Sequence, residues 1–148
     1  AERSEELQMV VVCGKNKEVQ KALTERAWGS NLDVHVKGFV ANMDEWMIAA
    51  DCLVTKAGPG TIAEATIVGL PTMLSAFLPG QEAGNVGYVV DGGFGAFERE
   101  PRKIAGTVAS WLDDKTKLSA MSALASEYGK IHSKATKEIA VEIASMLD

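Results

Sequence analysis

The strongest constraint on the fold is an alternation. Short apolar runs, each closed by a glycine or polar turn, take turns with stretches of helical periodicity. Leu7 to Cys13 (LQMVVVC) reads as a buried strand: short, β-branched and ended by Gly14. Asn16 is placed to cap a helix to about Trp28, with Val19, Ala22, Leu23 and Ala27 on one face. Asp33 to Val40 alternates Val34 and Val36 with His35 and Lys37, the pattern of a less buried strand. Asn42 and Glu45 have the spacing of a capping box for a short helix carrying Met43, Trp46, Met47 and Ala50. Cys52 to Lys56 is the next strand, and GPGTIAEATIVGLP is a glycine turn into a helix that stops at Gly69. Pro71 to Phe77 repeats the strand pattern, GQEAGNVGYVVDGG repeats turn and helix, and Gly95 to Phe97 makes a short last strand. Helices over about Pro101 to Leu112, Lys115 to Tyr128 and Lys134 to Leu147 complete the chain. This alternation predicts an α/β fold of the Rossmann-like, doubly wound kind, a parallel sheet covered on both faces. Ligands of such folds sit at the carboxyl ends of the strands.

The totals agree with one domain that can bury a core: 148 residues, 47% hydrophobic and 24% charged. The net charge of −5, with 15 Lys and Arg spread along the chain, argues against nucleic acid as a partner. Cys13 and Cys52 both lie in apolar runs and read as reduced core thiols. With two His they make no metal-site spacing. No uncharged apolar run approaches the ~18 residues of a bilayer span. His35 and His132 have no nucleophile or orienting acid beside them in sequence and read as non-catalytic.

Chemistry concentrates in two glycine-containing turns. Residues 58–63, GPGTIA, fit G-x-G-x-x-A between a strand and a helix, formally a dinucleotide fingerprint. Two features oppose a site for NAD or FAD: Pro59 has no N–H for a pyrophosphate, and the motif does not follow the first strand. Gly58 and Gly60 still allow close approach of a ligand to the backbone, and the following helix N-terminus offers free amides to a phosphate. The competing reading is a tight turn and nothing more. Thr61 and Glu64 are spaced as T-x-x-E; spacing alone favours a capping box, and the alternative is a Glu64 that binds a ribose diol. In PGQEAGN, Gln81, Glu82 and Asn85 place amides and a carboxylate at the mouth of the next helix, either to hold sugar hydroxyls or as a plain exposed first turn.

Taken together, CGKN, VKGFVANMDEWMIAADCLVTKAGPGTIAEATIVGLPTML and PGQEAGNVGYVVDGGFG resemble the C-terminal half of the monogalactosyldiacylglycerol synthase family. More distantly they are similar to the peptidoglycan glycosyltransferase that adds N-acetylglucosamine to a lipid intermediate. The resemblance runs to about Leu112, and its ordered GPGTIAEA and GQEAGN pair is what makes it specific.

The resemblance implies the C-terminal, nucleotide-sugar-binding domain of a two-domain B-type glycosyltransferase, with 115–148 a helical tail. It implies UDP-galactose as the substrate, inverting transfer of galactose to diacylglycerol, no required cofactor or metal, peripheral membrane contact and a plastid-envelope location. By resemblance, backbone around Phe39 and Val40 reads the uracil edge, and Gly58, Pro59, Gly60 and Thr61 face the phosphates. Glu64 takes the ribose hydroxyls, and Gln81 and Glu82 take the galactose with Asn85 in support. No catalytic residue is expected in this chain; the base is expected in an N-terminal domain, which also meets the diacylglycerol.

Two departures follow. Gly87 stands where the family has proline, which loosens the helix start. The family's domain also opens with a strand, a glycine-rich loop and a helix ahead of the segment matching LQMVVVCG. In the order 3-2-1-4-5-6 the strands at Met9 and Cys52 then flank a gap. The chain is expected to be an incomplete domain, inactive by itself and either poorly folded or associated with something that fills the gap. A non-catalytic nucleotide-binding or interaction module is the alternative function.

Overall fold

The computed structural model describes residues 7–146; Leu147, the expected end of the tail, lies outside them. The chain divides into two compact units, residues 1–43 and 44–148.

The first unit is a strand–helix–strand: β1 (Leu7–Val12), α1 (Lys17–Thr24) and β2 (Leu32–Lys37). The strands are parallel, in register from Leu7 opposite Leu32 to Val12 opposite Lys37. Asn16 caps α1 as expected, its Oδ1 accepting the Val19 N–H at 3.1 Å. The helix ends at Thr24, short of Trp28. The cause is local: the Trp28 indole N–H donates to the Leu23 carbonyl at 3.3 Å, the acceptor that another turn of helix would have used. The Arg26 guanidinium lies 4.7 Å from the Trp28 ring centre and helps hold this reversal. The second strand ends at Lys37, not Val40, because its ladder stops with the Cys13 N–H to Lys37 carbonyl bond. The expectation of a buried first strand fails: its residues alternate between half-buried and exposed, and Val10 is 39% exposed.

The second unit runs α2 (Met43–Ile48), β3 (Leu53–Lys56), α3 (Pro59–Ile67), β4 (Thr72–Ala76), α4 (Ala83–Asp91), β5 (Gly95–Phe97), α5 (Pro101–Asp113) and α6 (Lys115–Ser145). Its sheet is parallel, in the order β3-β4-β5. β1 and β2 form a sheet separate from this one. Burial on both faces is visible in neighbouring residues of β4. Leu74 enters one cluster with Ala57, Ile62, Val89, Phe94 and Ala125. Met73, pointing to the opposite face, joins Trp111 and Met121 in another. Cys52 packs against that second cluster, and burial together with the nearby Asp51 charge pushes its thiol up to about 11. Cys13 and Cys52 are free and half-buried rather than fully in the core.

The tail departs from expectation in one respect. Lys115 to Ser145 is a single helix, with no break between Tyr128 and Lys134. Gly129 does not end a helix here. A Cβ at that position would lie 2.2 Å from the Thr66 carbonyl oxygen, so the glycine lets α6 press its backbone against α3. Beyond that contact Ile131, Ile139, Val141 and Ile143 are exposed. Among the described residues no helix is long and apolar enough to cross a membrane.

Candidate functional site

At the carboxyl end of the second sheet, the β3–α3 turn and the β4–α4 loop come together. The last rungs of the ladder place them. Ala57 donates its N–H to the Ala76 carbonyl at 2.7 Å, and the register shifts by one residue between Thr55 and Lys56. Ser75 is the extra residue, and its hydroxyl donates to the Thr55 carbonyl at 3.1 Å. Such a bulge re-aims the side chains that follow it.

Gly58 is the N-cap of α3, with extended backbone, and Pro59 occupies the first helical position. This placement corrects the capping-box reading: Thr61 lies inside the first turn, and no side chain caps the helix. The amides of Gly60 and Thr61 belong to the first-turn set that has no acceptor within a helix. Neither Gly58 nor Gly60 has a positive φ, so backbone conformation does not require glycine at either position. A Cβ on Gly60 would meet nothing within 4 Å; the space over that turn is open. Glu64 is one turn further along the same helical face as Gly60 and is exposed. Among the described residues its carboxylate makes no hydrogen bond or ion pair, and the same holds for the side chains of Thr61 and Gln81.

The facing loop is built by Gly80, whose φ of 82° suits glycine, and by Leu78. The Leu78 carbonyl accepts from the Gln81 and Glu82 amides at 3.2 and 2.9 Å. Gln81 is exposed, whereas Glu82 is buried. One Glu82 oxygen accepts the Leu78 N–H at 2.8 Å, and the other is bonded to the Lys56 ammonium. The Lys56 hydrogen bond, followed by the Leu78 amide, holds this carboxyl below its ordinary range. Asn85 donates its side-chain amide to the Ala57 carbonyl at 2.8 Å and so ties α4 to the turn before α3. Gly87 lies in the second turn of α4, not at its start, so the loosening expected there falls within the helix.

Gly58, Pro59, Gly60, Thr61, Glu64, Gln81, Glu82 and Asn85 therefore share the second unit. Phe39 and Val40 follow β2 in the first unit, where the Phe39 ring is 71% exposed. Lys56 was not among the residues singled out in the sequence. Its only signal there was its place, a cation at the end of a strand just ahead of a glycine turn. His132, on α6, hydrogen-bonds the Tyr88 hydroxyl at 3.0 Å and lines a small cavity with Pro59, Ile62, Asn85 and Tyr88. Among the described residues no cluster of three or more His, Cys, Asp and Glu is arranged to hold a metal ion.

Comparison with known proteins places this arrangement. The family model described as the glycosyltransferase family 28 C-terminal domain matches residues 1–139. Monogalactosyldiacylglycerol synthase 3, chloroplastic, of Arabidopsis thaliana is 50% identical over 116 residues, which is 78% of this chain and 24% of that protein. A probable monogalactosyldiacylglycerol synthase, chloroplastic, of Nicotiana tabacum is 49% identical over 120 residues, 79% of this chain and 22% of that protein. The chain thus spans under a quarter of the length of these curated relatives. Among solved structures, MurG of Acinetobacter baumannii superposes with a TM-score of 0.70 at 21% identity, over 84% of this chain and 38% of that one. The spinosyn forosaminyltransferase SpnP gives 0.58 at 18% identity, over 94% and 45%. Both likenesses are of fold.

Proposed function

The chain belongs to the glycosyltransferase family 28 C-terminal domains, and from that membership we propose that it is the nucleotide-sugar-binding part of a galactosyltransferase. The substrate is UDP-galactose, and the acceptor is diacylglycerol. Support comes from relatives that are identical at about half of the matched positions and carry the name monogalactosyldiacylglycerol synthase. The observation that carries the reading is the bare N-terminus of α3. The first-turn amides of Gly60 and Thr61 have no helical acceptor and no side-chain cap, and a Cβ on Gly60, at the carboxyl end of a parallel sheet, would meet nothing within 4 Å. A diphosphate is the ligand that such a terminus suits, because the helix dipole and the unpaired amides both favour negative charge.

In this reading the amides of Gly60 and Thr61 take the phosphates, with Gly58 and Pro59 shaping the turn. Glu64, unpaired and one turn along, accepts from the ribose hydroxyls. Gln81 meets the galactose, while Asn85 holds the two loops in register. The assignment of Phe39 and Val40 to the uracil edge rests on family resemblance alone.

The chemistry is one displacement at the anomeric carbon, with inversion. The acceptor oxygen bonds to that carbon as the bond to the diphosphate breaks, and a base elsewhere in the longer protein takes the hydroxyl proton. This chain holds the leaving diphosphate and stabilises its charge as the bond breaks, with no cofactor or metal required. Diacylglycerol access and peripheral membrane contact belong to the rest of that protein, and the chloroplast location follows the names of the relatives.

Calorimetry on the intact protein tests this. UDP-galactose binds saturably and NAD does not. Glu64→Ala weakens UDP-galactose by about tenfold, the loss of a charge-assisted hydrogen bond. Saturable NAD binding, or a Glu64→Ala variant that binds and transfers like the wild type, would sink the assignment.

A further inference from the structure

Glu82 is badly placed to read sugar hydroxyls. Its side chain is only 8% exposed, and each carboxylate oxygen already has a partner, Leu78 N–H on one side and the Lys56 ammonium on the other. Lys56 is the opposite case. Its side chain is 63% exposed, and an ammonium has three N–H groups, of which Glu82 uses one. The location of that ammonium is specific. It lies 3.1 Å from the point a Cβ on Gly58 would occupy, against the N-cap of α3, where the first-turn amides open.

We propose that Glu82 is a positioning residue that holds the Lys56 ammonium over the Gly58 turn, and that Lys56 is the cation that receives the diphosphate of the nucleotide sugar. The proposal rests on the nucleotide-sugar reading above and adds a residue and a division of labour to it.

Three features of the fold converge on this one charge. Lys56 is the last residue of β3 and pairs with Ala76 just past the Ser75 bulge, which places it at the carboxyl end of the sheet. Glu82 is fixed independently by the Leu78 amide, so it can hold a flexible side chain without itself moving. Glycine at position 58 leaves room for the ammonium beside the N-cap. A free lysine would sample many rotamers and lose entropy on meeting a phosphate; one already tethered loses less. As a compact point charge with spare N–H groups, it suits a diphosphate whose negative charge grows as the sugar departs.

The test is calorimetry on the intact protein with UDP and with uridine, which lacks the phosphates. Lys56→Met weakens UDP by about 10- to 100-fold, as expected for a lost charge-assisted contact, and leaves uridine unchanged. Lys56→Arg restores part of the UDP affinity. Glu82→Gln keeps the shape and the Leu78 contact but releases the lysine, and weakens UDP in the wild-type background. In the Lys56→Met background the same change costs nothing, because no cation remains to be placed. Lys56→Met binding UDP within twofold of wild type overturns the proposal. So does a loss shared equally by uridine, or a Glu82→Gln loss of the same size in both backgrounds. A wild-type protein that binds neither UDP nor uridine refutes the nucleotide-sugar reading beneath it, an outcome distinct from failure of the Lys56 role alone.

Discussion

The β1–α1–β2 segment and the β3–α3–β4 segment use the same strand–helix–strand plan and end in opposite states. From Leu7 to Met43 no residue is buried, and α1 buries none of its side chains. In the second segment Ala57, Ile62, Ala65, Met73 and Leu74 are all at least 96% inaccessible. Apolar content does not explain the difference, since LQMVVV is at least as apolar as LVTK. Cover does. The second sheet has α5 and α6 residues on one face, through Trp111 and Met121, and α3, α4 and α6 residues on the other. A hydrophobic strand is a demand for burial; whether it is met depends on what packs against it.

Truncating each segment should make the contrast measurable. Phe94→Ala, at a fully buried ring in contact with Tyr88 and Tyr128, is expected to cost about 3–5 kcal/mol of stability. Val11→Ala in β1, at a half-buried side chain, is expected to cost less than about 1 kcal/mol. Urea unfolding of both variants checks this. Equal losses would mean that β1 is as well covered as the second sheet.

A smaller effect should appear only in acid, and only in the second unit. The folded-state carboxyl of Glu82 lies below its ordinary value of 4.5 because of Lys56 and the Leu78 amide. Its contribution is therefore complete above the ordinary value and is lost as pH falls through the lower, folded one. Urea midpoints of the wild type should fall between about pH 6 and about pH 3 more steeply than those of Glu82→Gln. Parallel curves would remove Glu82 from the acid response.

Much of this was legible in the sequence, and the exceptions have physical causes. Element types follow from periodicity, and the Asn16 cap from residue chemistry. The end of α1 was not legible, because it depends on the Trp28 indole N–H taking the Leu23 carbonyl, a choice the residue pattern does not announce. The helices expected to end at Tyr128 and restart at Lys134 are one helix, and only the closeness of Gly129 to Thr66 shows why a glycine sits there, as a packing contact with α3. Thr61 and Glu64 had the spacing of a cap, but Pro59 starts the helix two residues earlier and moves Thr61 inside it. In the candidate site the residue types were read from sequence, while the division of labour was not. Glu82 and Gln81 are adjacent in the chain, yet one is buried against Lys56 and the other exposed. Lys56 and Glu82 are 26 positions apart, and no local pattern joins them.

Hydrogen exchange of the intact protein, with and without UDP-galactose, tests the nucleotide-sugar site most directly. Protection should rise at the first-turn amides of α3, Gly60 and Thr61, and along Gln81 to Asn85. Saturable binding that leaves every amide between Ala57 and Asn85 exchanging as before would contradict the assignment and place the ligand elsewhere.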